Sequence, residues 1–187
     1  MRVTAEDFAF QTLRLQVRPL HEDDQPLFCR LYCSPSSMRL IGPPMSRDAA
    51  LASFGRTLQW QRTQPMRSLV LTATDKRSND AIGLVACPGF DATATRLEIG
   101  IMLERTANGK ALPREVLIGF VQRLFVMLPV QEIRARYRAA NKPIDHIGRS
   151  MGFALVAPSP SDADGLCTRV ALRHVWMPAF GCVCTDS

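Results

Sequence analysis

The stretch Leu97–Glu115, LEIGIMLERTANGKALPRE, decides the reading of this chain. Its first half alternates. Leu97, Ile99, Ile101 and Leu103 lie on one side of an extended strand, and Glu98, Gly100 and Met102 on the other. Its second half turns at Gly109-Lys110 and opens a helix. The apolar stripe of that helix, Val116, Leu117, Phe120, Val121, Leu124, Phe125 and Leu128, runs at helical spacing up to Pro129. A helix that begins right after a small-residue turn presents unpaired backbone N–H groups and the positive end of its dipole. Phosphate and pyrophosphate bind at such a place, so the segment points to a nucleotide-like ligand.

The flanking sequence supplies the rest of the fold. Ser68–Thr74, Ala81–Cys87 and Arg96–Leu103 read as three consecutive strands in an antiparallel meander. Before them, Leu13–Leu20 alternates as a half-buried strand closed by Pro19. Asp23 or Asp24 then caps a helix carrying Leu27, Phe28, Leu31 and Tyr32. A loop over Ser34–Met45 leads to Ser46, which caps a second helix with Ala50, Leu51, Phe54, Leu58 and Trp60 along its stripe. After Pro129 come a strand over Glu132–Tyr137 and a short helix over Pro143–Met151. A strand from Gly152-Phe153 through Val156, a loop over Ala157–Gly165 and a last strand over Leu166–Trp176 follow. The order β-α-α-β-β-β-α-β-α-β-β predicts an α/β (α+β) fold, a mixed sheet flanked by helices. No repeat or linker divides residues 1–187, so one domain is expected, with its core over about 12–176 and a tail over 177–187.

Composition excludes several classes. Hydrophobic residues make up 47% and charged residues 21%, too apolar for disorder. No apolar run is long enough for a membrane span, and MRVTAEDFAFQ has no signal core, so a cytoplasmic location is expected. The net charge is +6, but the basic residues are scattered, which argues against nucleic acid as a partner. The nearest cluster is Arg134, Arg136 and Arg138, alternating along one strand: a solvated face, or a contact for an anionic partner. The six cysteines include no Cys-x-x-Cys pair and no histidine at ligand spacing, so no metal is expected and free buried thiols are. Cys182 and Cys184 fall in the tail.

The element order and four motifs together resemble the GNAT (GCN5-related N-acetyltransferase) superfamily. Within it, the chain is most similar to the branch of bacterial acetyltransferases of ribosomal-protein N-termini. Thr12-Leu13-Arg14-Leu15-Gln16-Val17-Arg18-Pro19, followed by Asp23-Asp24, matches that branch's opening pattern. Leu97-Glu98-Ile99-Gly100-Ile101 matches its Glu-Ile-Gly strand, and Asn141–Phe153, ending Met151-Gly152-Phe153, its final signature. The resemblance covers roughly residues 12–176. It implies a mostly antiparallel sheet with a splayed V between strands 97–103 and 132–137. It also implies acetyl-CoA, or another acyl-CoA, as co-substrate. By position, Ile101, Met102 and Leu103 would meet the pantetheine arm, Asn108, Gly109, Lys110, Ala111 and Leu112 the pyrophosphate, and Asn141 the thioester end.

The phosphate turn departs from the family's Arg-Gly-x-Gly-x-Gly/Ala. Asn108 replaces an arginine, with Lys110 a partial substitute. Ala111 replaces a glycine where backbone must approach phosphate, and Pro113 removes an N–H donor. The motif is degenerate, which leaves open a weakened cradle, a different acyl carrier or a cradle that only holds the fold.

Acyl transfer to an amine needs a proton acceptor, oxyanion stabilisation and a route for the thiolate. Glu98 matches a carboxylate position used as base in the superfamily; its plainer reading is an ion pair with a basic neighbour. A backbone N–H near Met102 is the expected oxyanion donor. The family's acid, a tyrosine, is replaced by Gly148, and Ile144 stands where the branch has a serine. Tyr137 beside the cleft is the remaining candidate acid, with core packing as its plainer role, and His146 reads as a surface residue. Gly148 also suggests room for an acyl group larger than acetyl.

The expected acceptor is a primary amine of a peptide, protein N-terminus or small metabolite. Arg39, Arg47 and Arg56 near its side favour acidic or carboxylate character, unless they are ordinary helix-surface charges. The other readings are an acyltransferase toxin acting on aminoacyl-tRNA and a non-catalytic binding module of the same fold. A monomer or a homodimer through the last strand both fit the sequence.

Overall fold

The computed structural model describes residues 3–107, 111–157 and 165–180. Its strands are β1 (Phe10–Gln11), β2 (Leu15–Pro19), β3 (Leu69–Asp75), β4 (Ala81–Cys87), β5 (Arg96–Glu98), β6 (Gly100–Leu103), β7 (Glu132–Arg138), β8 (Ala154–Val156) and β9 (Leu166–Leu172). Its α-helices are α1 (Gln25–Tyr32), α2 (Pro35–Met38), α3 (Arg47–Arg62), α4 (Leu112–Met127), α5 (Lys142–Ser150) and α6 (Arg173–Phe180). None of these helices is long and apolar enough to cross a membrane.

The strand expected over 96–103 is two strands in two sheets. One sheet has the order β1-β2-β3-β4-β6, all antiparallel; the other has β5-β7-β9-β8, with β5 parallel to β7. The break falls at Ile99. Its N–H still reaches Arg134 O at 2.8 Å, the last bond that holds this segment to β7. From Gly100 onward the chain pairs with β4 instead. The V that the resemblance implied is therefore the gap between β6 and the second half of β7.

Two apolar clusters cover the two faces. Alternation along β3 sends Leu69 and Leu71 to the larger cluster and Val70 to the smaller. β4 does the same with Val85 and Leu84. The larger cluster is built on α4, where Val116, Phe120, Val121, Leu124 and Phe125 are fully buried, as their spacing predicts. Gly119 lets α4 lie close on β1, since a Cβ there would sit 2.4 Å from the Phe10 ring. The smaller cluster joins Leu27, Phe28 and Leu31 of α1 to Phe54 and Leu58 of α3. Ser46 caps α3 by accepting from Ala49 N, 3.2 Å away. Trp60 is largely exposed and stacks under Arg56 rather than joining the stripe.

Packing extends past both ends of the 12–176 span: Val3 and Phe8 are buried, and Met177 and Phe180 pack on the core. The last strand ends at Leu172, not Trp176. Arg173 folds the chain back by bonding Val130 O at 2.7 Å, and α6 then drives Trp176 into the core, its indole N–H 2.8 Å from Met151 O. The loop expected over Ser34–Met45 contains the turn of helix α2, capped by Ser34 Oγ accepting from Ser37 N. Of the cysteines, Cys87 is buried and its thiol is pushed up to about 12, chiefly by burial; Cys29, Cys33 and Cys167 are half-buried. Cys182 and Cys184 lie outside the described residues.

The opening motif is explained by two anchors. Asp24 is 3% exposed, and both of its oxygens take a bond from the Arg18 guanidinium, at 2.7 and 2.8 Å. It also accepts from His21 N and the Thr72 hydroxyl. Burial alone would raise this carboxyl; the bonds from Arg18, His21 and Thr72 win and hold it below the usual range. Glu115, in the first turn of α4, accepts from the Thr12 hydroxyl, from Arg14 N at 2.9 Å and from the Arg14 guanidinium. That anchor fixes the first turn of α4 to the start of β2.

Candidate active site

A cleft of about 350 Å3 opens where β6 and β7 part. Its walls include Gly100, Ile101 and Met102 of β6 and the four consecutive residues Ala135, Arg136, Tyr137 and Arg138 of β7. Consecutive residues line one space only where a strand presents its edge. Ile101 packs toward the larger cluster and Met102 toward the smaller, so the cleft passes through the sheet from face to face. α4 and α5 lie on one side and α1 and α2 on the other.

The ladder fixes which peptide groups face the gap. Glu104 N donates to Ile82 O at 2.8 Å, and Met102 sits opposite Leu84 and Gly100 opposite Ala86. Alternation then commits the N–H groups of Met102 and Gly100 to β4 and turns those of Ile101 and Leu103 toward β7. The N–H of Met102, near which the oxyanion donor was expected, is thus committed to β4, and those of its two neighbours face the gap. An extended pantetheine arm fits between these edges as an extra strand would.

At the end of the V, α4 begins. Ala111 has φ 58° and ψ 9°, the left-handed region, at the position where the family has glycine. The chain keeps the conformation at a strain cost of about 1 kcal/mol. Pro113 brings no N–H, but those of Leu112 and Arg114 have no intrahelical partner. Arg114 itself bonds Ser150 O of α5 at 3.3 Å, which places a guanidinium between the start of α4 and the end of α5. Asn108, Gly109 and Lys110 lie outside the described residues. Asn141 caps α5, its Oδ1 accepting from Ile144 N at 3.4 Å, and it lines the cleft.

Glu98 pairs with Arg136, its Oε2 2.7 Å from Nε, while Arg136 lines the cleft. The carboxylate therefore stands one side chain back from the gap. His146 is exposed, as expected. Arg39, Arg47 and Arg56 do not line the cleft, which leaves them as surface charges.

Tyr137 is buried on the α5 side. Its hydroxyl donates to Asp145 and accepts from Arg169 Nε at 3.1 Å. Burial, then donation to Asp145, pushes its phenol up to about 12. Bonds from Tyr137, Arg169 and Arg149 hold Asp145 well below the usual carboxylate range. Arg169 reaches Asp145 at 3.0 Å and Phe153 O at 2.8 Å. It also fills the space beside Gly148, where an added Cβ would meet Arg169 Cδ at 2.8 Å. The expected room for a longer acyl group is thus taken by the guanidinium chain. Sequence reasoning missed Asp145 and Arg169. The only trace was Gly148 itself, a glycine inside a helix. Among the described residues no group of three His, Cys, Asp or Glu side chains is placed to hold a metal.

A family model for the acetyltransferase (GNAT) domain matches residues 14–154, most of the chain. The chain belongs to the GNAT acetyltransferase family. No curated protein matches it in sequence. Among solved structures, a spermidine N-acetyltransferase from Vibrio cholerae in complex with CoA and spermine superposes with TM-score 0.75 at 16% identity, over 88% of this chain and 98% of that one. A ribosomal-protein-S5-alanine acetyltransferase from Vibrio fischeri gives 0.73 at 17%, over 90% and 98%. The RimL ribosomal L7/L12 alpha-N-protein acetyltransferase with coenzyme A gives 0.74 at 12%, over 88% and 97%. At such identities the likeness is one of fold. GNAT acetyltransferases use acetyl-CoA, and the free edges of Ile101 and Leu103, with the open N–H groups of Leu112 and Arg114, fit an extended arm and a pyrophosphate.

Proposed function

We propose that this GNAT acetyltransferase moves an acetyl group from acetyl-CoA to the primary amine of a peptide, protein N-terminus or small metabolite. The observation that carries this reading is the break at Ile99, which leaves two strand edges facing each other across a cleft with a helix N-terminus at its end. Acetyl-CoA supplies the activated acyl group. Ile101 and Leu103 hold its arm, and the Ile101 or Leu103 N–H steadies the developing oxyanion. Leu112 and Arg114, with Asn108, Gly109, Lys110 and Ala111, form the phosphate end, and Asn141 the thioester end. Glu98 takes the amine proton through a water, since Arg136 separates it from the gap.

Tyr137 is a standing hydroxyl beside the reaction, its proton held by Asp145. A thiolate leaves readily without a strong acid, because a thiol's pKa is far below an amine's. Arg169 against Gly148 favours acetyl over longer donors. The protein works as one domain, in the cytoplasm, as a monomer or homodimer.

Thermal melting with CoA and acetyl-CoA tests the reading, followed by thiol release with an amine panel. Ligand at 100 times Kd adds about 2.7 kcal/mol to stability, a shift of roughly 5–10 °C at this size. No shift with either would make the fold a non-catalytic module. Glu98→Gln is expected to cut kcat about 100-fold while the acetyl-CoA shift stays; unchanged turnover across pH 6–9 removes Glu98 from the mechanism.

A further inference from the structure

The two mouths of the cleft differ in chemistry. The mouth on the α4 and α5 side carries the helix N-terminus and fits the phosphate end. The other opens under α1 and α2. Side-chain alternation assigns the residues there. Met102 packs with the smaller cluster, and Glu98, two pleats earlier, faces the same way. Glu98 bonds Arg136, which puts Arg136 and the next residue on its face of β7, Arg138, at this mouth. Tyr32, Ile41 and Leu84 form its apolar wall; Ile41 is 49% exposed although it lines the cleft.

Among the described residues, positive charge is in excess at this mouth. No aspartate or glutamate lines the cleft among the described residues. Glu104, at the end of β6, is turned to Arg30 of α1 at 2.8 Å. Arg134 is paired with Glu132 and Arg136 with Glu98. Arg138 lines the cleft, is exposed, and its guanidinium has no hydrogen-bond or ion-pair partner among the described residues. It stands about 7 Å along the strand from Arg136. An apolar wall with a guanidinium at its rim suits an amine that carries an apolar group and a carboxylate. It disfavours a polyamine, whose ammonium groups would meet Arg138 with no carboxylate among the described lining residues to receive them.

Resting on the acetyltransferase reading, we infer that the acceptor is an amine bearing an apolar side chain and a carboxylate, with Arg138 the residue that selects the carboxylate. The carboxylate has two possible sources, the α-carboxyl of a free amino acid or an acidic side chain in a peptide.

The test measures thiol release from acetyl-CoA with L-leucine against L-leucinamide, with Leu-Gly-Glu amide against Leu-Gly-Gln amide, and with spermidine. The expected result is at least a tenfold kcat/KM advantage for the carboxylate member of one pair, which also names its source, and little turnover of spermidine. Arg138→Gln should bring that carboxylate acceptor down to the level of its amide while the melting shift with acetyl-CoA persists. If acetyl-CoA shifts the melt but neither carboxylate member is preferred, or spermidine is the best acceptor, this inference falls and the acetyltransferase reading stands. If acetyl-CoA produces no shift, the acetyltransferase reading falls and this inference with it.

Discussion

Arg169 Cδ lies 2.8 Å from the point where a Cβ on Gly148 would stand. The glycine is a seat for the arginine chain, which is 7% exposed and fixed by Tyr137, Asp145 and Phe153 O. A side chain with three such ties cannot swing away cheaply. Gly148→Ala is expected to lower stability by about 1–3 kcal/mol through overpacking, read by denaturant unfolding. In the unaltered protein, acetyl-CoA should outperform hexanoyl-CoA at least tenfold in kcat/KM; equal turnover would mean that Arg169 yields to longer chains.

Tyr137→Phe removes the bond to Asp145 and the one from Arg169. A loss of about 2 kcal/mol is expected, since both partners are charged. The phenol titrates higher in the fold than in the unfolded chain. Its stabilising contribution is therefore whole below the unfolded value, about 10, and fades as pH rises toward 12. Melting curves from pH 9 to 11.5 should fall more steeply for the parent than for Tyr137→Phe. The pH–rate profile between 7 and 10 should show no limb from this residue.

Acid should act in the opposite direction. Asp24 and Glu115 both sit below their ordinary range in the fold. Their contribution is whole above the unfolded value, about 4, and is lost as pH falls below it. Asp24→Asn leaves Arg18 without its partner and should cost about 3 kcal/mol at neutral pH. Its stability should also vary less with pH between 4 and 2 than the parent's.

Ala111→Gly removes a Cβ from a left-handed position and should raise stability by up to about 1 kcal/mol, roughly 2–4 °C in Tm. It also frees the approach to the phosphate end, so the Kd for CoA should fall. A lower Tm with unchanged Kd would show that the Cβ is not what limits either.

Much of the fold was legible because side-chain period reports burial. The α4 stripe, the two faces of β3 and β4, and the cap at Ser46 all follow from local pattern. The break at Ile99 was not legible, for a physical reason. Leu97, Ile99, Ile101 and Leu103 keep one face throughout, and alternation of side chains says nothing about which strand the backbone pairs with. Alternation likewise ran on to Trp176, although Arg173 had already turned the chain through bonds to a distant loop. Tyr137 could be placed beside the cleft from its position in the order, and Asn141 only from the family resemblance, yet Asp145 and Arg169 join Tyr137 only through contacts spanning 8 and 32 residues. Between the two readings of Arg39, Arg47 and Arg56, sequence could not choose because formal charge carries no direction; the structure keeps all three out of the cleft lining.

The divergence after Ile99 has a consequence for how the protein behaves among other proteins. Strands that stop pairing leave raw hydrogen-bonding edges, and such edges ordinarily recruit neighbouring chains into aggregates. Here the two edges confront each other inside one molecule, with helices over both mouths of the space between them. A folded neighbour is too thick to enter; a single narrow, extended guest is not. The same separation that makes room for a small ligand also shelters the sheet from its own kind.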